Sequence, residues 1–274
     1  MTKTFFIVLL FSATAVSCDP QSKTIMLPEG ISMEQAMNEI TTKKLNHELE
    51  FAFDIHKVLV QKSTKNILRT ILNSDHKWQL LGILINPRLM AGLAGMVWQS
   101  LLNNMFWAPH NYKELTAEEL LCIVRDRGNE QLLNLTMQII NTQHVDPEVK
   151  EIVLALKEQG YPLRIASNIG KEIYIKLKQQ LEESQSNIFA LFDQDEHGME
   201  GKTIDYRVSP VQKPSLQFFQ EFLDAYDPAR KKLIIFIDDK AINVKAAIQL
   251  GFVGIHFKNA KQLKNDLTEL GITI

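Results

Sequence analysis

From position 145 onward, apolar residues recur in two alternating rhythms. Segments with apolar positions three or four apart, such as DPEVKEIVLALKEQG and AINVKAAIQLG, alternate with short, mostly apolar runs, PLRIA, KLIIFI and FVGIHF. The first rhythm predicts amphipathic helices and the second predicts strands buried on both faces. Asp146-Pro147 opens a helix whose end is marked by Gly160, and the strand PLRIA then stops at Ser167-Asn168. A helix from Ile169, a short apolar strand near 189–192 and a turn-rich stretch through Gly198 and Gly201 come next. A further helix is predicted to begin at Lys213-Pro214, with proline in the favoured first turn. The strand KLIIFI ends on Asp238-Asp239, and AINVKAAIQLG, FVGIHF and NAKQLKNDLTELG continue as helix, strand and helix. Strands alternating with helices of about 10 to 15 residues predict a parallel sheet covered on both faces.

The first half is organised differently. Residues 28–45 read as one amphipathic helix, with Ile31, Met33, Ala36, Met37 and Ile40 at helical spacing, preceded by a short polar linker. An apolar run from Leu49 ends on Asp54. Residues 64–143 then show helical periodicity and almost no strand signal. Their most apolar part, 80–109, contains Pro87, Arg88, Gln99, Asn103 and Asn104, so it reads as a helical cap with a buried face rather than a membrane span. Gly92 and Gly95 would allow close helix approach. Trp98 and Trp107 are either core or the lining of a pocket above Asp54. His110, in a Pro-His-Asn turn, reads as a surface histidine.

The opening MTKTFFIVLLFSATAVSCDP has the layout of an export signal: a polar start with Lys3, an apolar stretch, then small residues. Ala15-Val16-Ser17-Cys18 is similar to a bacterial lipoprotein cleavage site, with Ala15 where leucine is usual. The expectation is an exported protein, periplasmic or membrane-anchored through lipidated Cys18 if bacterial; the alternative is an N-terminal strand or helix that stays attached. The only other cysteine is Cys122, so lipid on Cys18 would leave no disulfide within the chain. With 274 residues and 45% hydrophobic, the chain suffices for two domains or one large one. Its net charge of −2 comes from interspersed residues, which leaves no electrostatic footprint for nucleic acid. The organisation expected is a signal over 1–18, a linker and helix over 19–48, a core over 49–63 and 144–274, and a cap over 64–143.

Three predicted strands end on chemically useful residues: Asp54, Ser167 with Asn168, and Asp238 with Asp239. In an open parallel sheet, ligands bind beyond the carboxyl ends of the strands. Helix capping is the competing account. It suits the second and third endings, and it suits Asp54 poorly because HKVLVQ has no clear helical face.

In order, FDIHKVL, IASN, QKPS and FIDDKAINVKAAIQLGFVGIHF resemble the four motifs of the haloacid dehalogenase-like (HAD) hydrolases. The resemblance runs from Leu49 to the C-terminal region. It is nearest to members with a helical cap inserted after the first motif, such as the haloacid dehalogenases and the phosphatase domain of the epoxide hydrolase relatives. It implies an α/β, Rossmann-like three-layer parallel-sheet core with a helical cap domain, acting on a small phosphorylated substrate. Asp54 would be the nucleophile, forming an aspartyl-phosphate. Asp238, and with it Asp239, would join Asp54 around Mg2+, a hard ion suited to carboxylate oxygens. Lys213 would hold the nucleophile and phosphoryl oxygens by its charge. Ser167 and the neighbouring amides, including that of Asn168, would donate hydrogen bonds to the transferring group.

The motif departs from its pattern at two positions. Active phosphatases of this superfamily carry aspartate two residues after the nucleophile, and this chain has His56; it also has Lys57 where glycine is usual in the turn. Three readings follow. His56 acts as general acid and base, with its pKa lowered beside a metal ion. The protein keeps a phosphate and metal pocket without turnover. Or it is a metal-free hydrolase of the haloacid dehalogenase type, against which the paired Asp238-Asp239 argues. No sequence signal addresses the substrate's identity or the oligomeric state.

Overall fold

Among the described residues, five strands run parallel in one sheet: β2 (Leu49–Phe53), β5 (Leu163–Ser167), β6 (Lys202–Thr203), β7 (Leu233–Asp238) and β8 (Val253–His256). The structure is a computed structural model that describes residues 24–62, 142–169, 171–193, 202–203 and 211–274. A sixth strand, β1 (Ile25–Met26), lies antiparallel on the edge, and the sheet order is β1-β8-β7-β2-β5-β6. The fold is therefore α/β with a mostly parallel, Rossmann-like sheet. All six residues of β7 are buried, as a strand covered on both faces requires.

Alternation along the strands divides the core into two layers. Leu49, Phe51, Phe53, Leu233, Ile235 and Ile237 face helices α1 (Met33–Leu45), α2 (Pro147–Glu158), α3 (Lys171–Glu183) and α6 (Ala260–Glu269). Ala52, Ile234 and Phe236 face α4 (Leu216–Tyr226) and α5 (Ala241–Ile248). On this second side Phe219 packs edge-on against Phe236, with ring centroids 5.2 Å apart. Gly254 of β8 makes the approach of α5 possible: a Cβ there would fall 2.3 Å from Val244 Cγ1.

Several element boundaries differ from the sequence expectation, each for a local reason. The helix expected over 28–45 starts at Met33, because Ser32 and Gln35 form a reciprocal capping box and the chain before it turns at Gly30. The polar linker contributes β1, whose two residues carry too little pattern to be read. The helix expected from Ile169 begins at Lys171. The apolar segment near 189–192 is a 3-10 helix, Ile188–Leu191, opened by the Asn187 side chain accepting from the Phe189 amide. The helix placed at Lys213-Pro214 begins at Leu216, where the Ser215 hydroxyl accepts from the Gln217 amide and so caps it. Lys213 is thereby left outside the helix and turned inward, buried.

A second, two-stranded sheet pairs β3 (Val60–Lys62) with β4 (Gln143–Val145) antiparallel, Lys62 opposite Gln143. Residues 63–142 therefore leave and rejoin the core at one place. The cap expected over 64–143, with Gly92, Gly95, Trp98, Trp107 and His110, lies outside the described residues apart from its last two positions. So do Cys122, the leader sequence and Cys18. Among the described residues no helix is long and apolar enough to cross a membrane.

Candidate active site

β2 is central: β5 pairs on one side and β7 on the other, so the chain leaves β2's carboxyl end at a topological switch point. Asp54 is the first residue beyond β2, and its amide donates to the Ile237 carbonyl at 2.9 Å. Ser167 ends β5 and Asp238 ends β7. Adjacent parallel strands in register thus bring the three endings to one edge of the sheet.

Lys213 joins them. Its Nζ lies 2.9 Å from Asp54 Oδ1 and 2.6 Å from Asp238 Oδ2, and donates to the Ala166 carbonyl at 2.7 Å. These contacts use all three ammonium hydrogens. The Asn168 side chain holds Lys213 in place by its main chain, donating to the Lys213 carbonyl and accepting from its amide, both at 2.9 Å. Helix capping therefore does not account for these residues: Ser167 bonds Asp54, and Asn168 clamps Lys213.

The two neighbouring aspartates are placed differently. Asp238 is fully buried, and both oxygens are taken: Oδ1 accepts from the Lys240 amide at 2.8 Å and from Asn243 Nδ2 at 3.0 Å, while Oδ2 accepts from Lys213 and from the same Nδ2 at 3.0 Å. Asp239 is only half-buried. Its Oδ2 meets the Lys57 ammonium at 3.3 Å, and its carbonyl contacts His256 Nε2 at 3.1 Å. Asn243 lies within the fourth motif, and its sequence signal is a lone amide in the first turn of the helix AINVKAAI, whose only other polar residue is Lys245.

Electrostatics separates the carboxylates. Burial pushes Asp54 up, but the Lys213 ammonium, the Ser167 hydrogen bond and His56 outweigh it and hold the carboxyl below its ordinary value. Burial pushes Asp238 up to about 6, against the pull of Lys213 and with the repulsion of Asp54 added. Asp239 is also raised, by burial first, with Lys57 opposing. Lys213 stays charged: burial alone would lower its pKa, and Asp238 and Asp54 more than reverse this.

The turn after Asp54 carries the two unusual residues. The Ile55 carbonyl accepts from the amides of Leu59 and Val60 at 3.0 and 2.9 Å. Lys57 sits at φ 63°, in the left-handed region where glycine is at ease and other residues cost about 1 kcal/mol or more. Its amide donates to the Val60 carbonyl at 2.8 Å and its carbonyl accepts from Gln61 Nε2 at 3.0 Å. The turn thus keeps the backbone of a glycine while bearing a lysine. His56, half-buried beside it, pairs with Val60 in an isolated bridge and is near enough to act on Asp54 electrostatically.

One oxygen of each of Asp54, Asp238 and Asp239 lies within 4.8 Å of the others. Among the described residues, three carboxylates here face two ammonium groups, Lys213 and Lys57. Hard oxygen donors short of positive charge fit Mg2+. Because Asp238 has both oxygens engaged, Asp54 and Asp239 retain the greater capacity to accept an incoming ion.

A family model described as haloacid dehalogenase-like hydrolase matches residues 33–251. Among curated proteins, flavin mononucleotide hydrolase 1 of Arabidopsis thaliana is 40% identical over 69 residues, 24% of this chain. That match spans 27% of the plant protein, so the chain covers about a quarter of the curated relative's length. Among solved structures, a HAD family enzyme of Bacteroides thetaiotaomicron, an Asp-to-Ala mutant in complex with magnesium and inorganic phosphate, aligns over 76% of this chain and 93% of its own, at 16% identity and a TM-score of 0.47. The L-2-haloacid dehalogenase of Xanthobacter autotrophicus aligns over 76% of each chain, at 14% identity and a TM-score of 0.45.

Proposed function

The chain belongs to the haloacid dehalogenase-like hydrolases, and from that membership we propose that it hydrolyses a small phosphate ester, with Asp54 as nucleophile and Mg2+ as cofactor. The observation that carries this reading is the state of Asp54: a carboxylate at the switch point, held ionised by Lys213 and Ser167, beside two further carboxylates. A nucleophile must be deprotonated at working pH, and this one is.

Mg2+ held by Asp54 and Asp239, with Asp238 behind them, would offset the charge of the phosphoryl group. An oxygen of Asp54 attacks phosphorus and the ester P–O bond breaks, leaving phosphate on Asp54. His56 gives its proton to the departing alkoxide. It then takes a proton from the water that attacks the phosphorus, releasing inorganic phosphate and restoring the Asp54 carboxylate. Lys213 acts by charge and position, since its three N–H bonds already hold Asp54, Asp238 and the Ala166 carbonyl. The carboxylate cluster favours phosphorus over a carbon-centred, metal-free reaction, which has no use for it.

Residues 64–143 are proposed as the cap that selects the substrate, supported by their departure and return through the β3–β4 ribbon beside the His56 turn. The name of the plant relative makes flavin mononucleotide a substrate to assay first. Export, with Cys18 as the lipid attachment point, is proposed from the leader-like sequence alone.

The test is phosphate release from an aryl phosphate and from flavin mononucleotide by the purified chain, with and without Mg2+, set against Asp54→Asn. Turnover that needs both Mg2+ and Asp54 is expected. A second reading, binding without turnover, is favoured by His56 standing where an aspartate is usual. Retained Mg2+ or phosphate binding with no turnover at any pH would establish it and overturn the enzyme.

A further inference from the structure

We propose that Lys57 is a tethered counter-cation that competes with a divalent metal ion for Asp239 and so sets the metal affinity of the site; this rests on the Mg2+ reading above. Among the described residues two lysines serve the carboxylate cluster, and they are built differently. Lys213 has a side chain 1% exposed and all three hydrogens bonded to fixed acceptors, so it is part of the pocket's frame. The Lys57 side chain is 66% exposed and reaches Asp239, itself 14% exposed, across the mouth of the site at 3.3 Å. An ammonium on a flexible, solvated stem can be displaced, whereas the buried one cannot leave without stranding two carboxylates.

The backbone argues that Lys57 is placed by design of the turn. A lysine at φ 63° is strained where glycine would be relaxed, yet its amide and carbonyl are both pinned, to Val60 and Gln61. That pinning aims the side chain at Asp239. The choice of Asp239 matters, because Asp238 has both oxygens occupied by Lys213, Asn243 and the Lys240 amide. Of the two adjacent aspartates at the end of β7, Asp239 is therefore the one an incoming ion can engage, and Lys57 already stands on it. A metal ion must move this ammonium aside and then tolerate its charge nearby. Both effects weaken binding, and both vanish when the charge is removed.

The test is calorimetric titration of Mg2+ into the metal-free full chain, comparing the wild type with Lys57→Met, Lys57→Gly and Lys57→Arg. Met keeps the stem without the charge, and Gly suits the left-handed backbone should Met disturb the fold. Both are expected to bind Mg2+ about fivefold more tightly, the effect of losing an exposed ion pair worth about 1 kcal/mol. Arg is expected to match the wild type. Equal or weaker binding by Met and Gly overturns the competition while leaving the Mg2+ site intact. No Mg2+ binding by any of the four proteins overturns the Mg2+ site itself and this inference with it.

Discussion

The Lys213 ammonium and the Asp238 carboxylate form a fully buried pair, 2.6 Å apart, with Asp54 bonded to the same nitrogen at 2.9 Å. Each charge is tolerable in the interior only because the others are present. Asp54, the proposed nucleophile, is thus tied to the stability of the fold as well as to the chemistry.

Lys213→Met should therefore do more than remove activity. It strands two buried carboxylates, and the metal-free chain is expected to lose about 3 to 5 kcal/mol by urea unfolding. Adding Asp238→Asn to the same variant should restore part of that loss. An unchanged unfolding midpoint in Lys213→Met would contradict the paired arrangement.

In the metal-free chain, Asp238 gives a pH signature of known sign. Its folded pKa, about 6, lies above the ordinary carboxylate value of 3.8, so the folded state holds the proton more tightly than the unfolded one. That contribution is fully present below about pH 4 and is lost as pH rises through 6, a decline of roughly 2 to 3 kcal/mol. Asp54, lowered, works the other way and only in more acid solution. Denaturant titrations from pH 4 to 7 should show the decline in the wild type and a smaller one in Asp238→Asn, where Asp239 and Asp266, also raised by burial, still contribute.

His56 is assigned both proton transfers. His56→Ala should lower turnover by roughly 10²- to 10⁴-fold, the usual reach of general acid–base catalysis, with Mg2+ binding retained. His56→Asp separates two cases by steady-state kinetics: activity well above the wild type means the histidine restrains a competent site, and activity below it means the histidine is the adapted acid and base.

Much of this site is legible in the sequence because mostly apolar strands have to stop, and PLRIA, KLIIFI and LEFAF stop on the residues that meet at the sheet edge. What each residue does there was not readable. Ser167 and Asn168 look like helix caps, and only the approach of Lys213 from 45 positions beyond Asn168 gives the latter its task. Asp238 and Asp239 are adjacent and identical in type, yet one faces the interior and the other Lys57. Burial separates them, and burial depends on strands and helices remote in sequence. The apolar stretch near 189–192 reads as a strand in the sequence and folds as the 3-10 helix Ile188–Leu191, because four apolar residues fit either structure.

Gly254 links the last strand to the site through helix α5. Gly254→Ala would drive a methyl against Val244 and push α5 outward, carrying Asn243 away from Asp238. The expected cost is about 1 to 3 kcal/mol in thermal or urea unfolding, together with weaker Mg2+ binding. Val244→Ala in the same chain should recover much of both, since it removes the atom that the new methyl meets.

The ribbon of β3 and β4 has the form of a hairpin whose turn has been exchanged for residues 63–142. Lengthening a connection whose ends are already held together adds little entropy cost, about 0.6 kcal/mol for each doubling. The core is thus indifferent to how long the intervening segment is. If residues 64–143 select the substrate as proposed, that segment can be exchanged as a cassette plugged into two paired strands, while the carboxylates of Asp54, Asp238 and Asp239 stay where the sheet puts them.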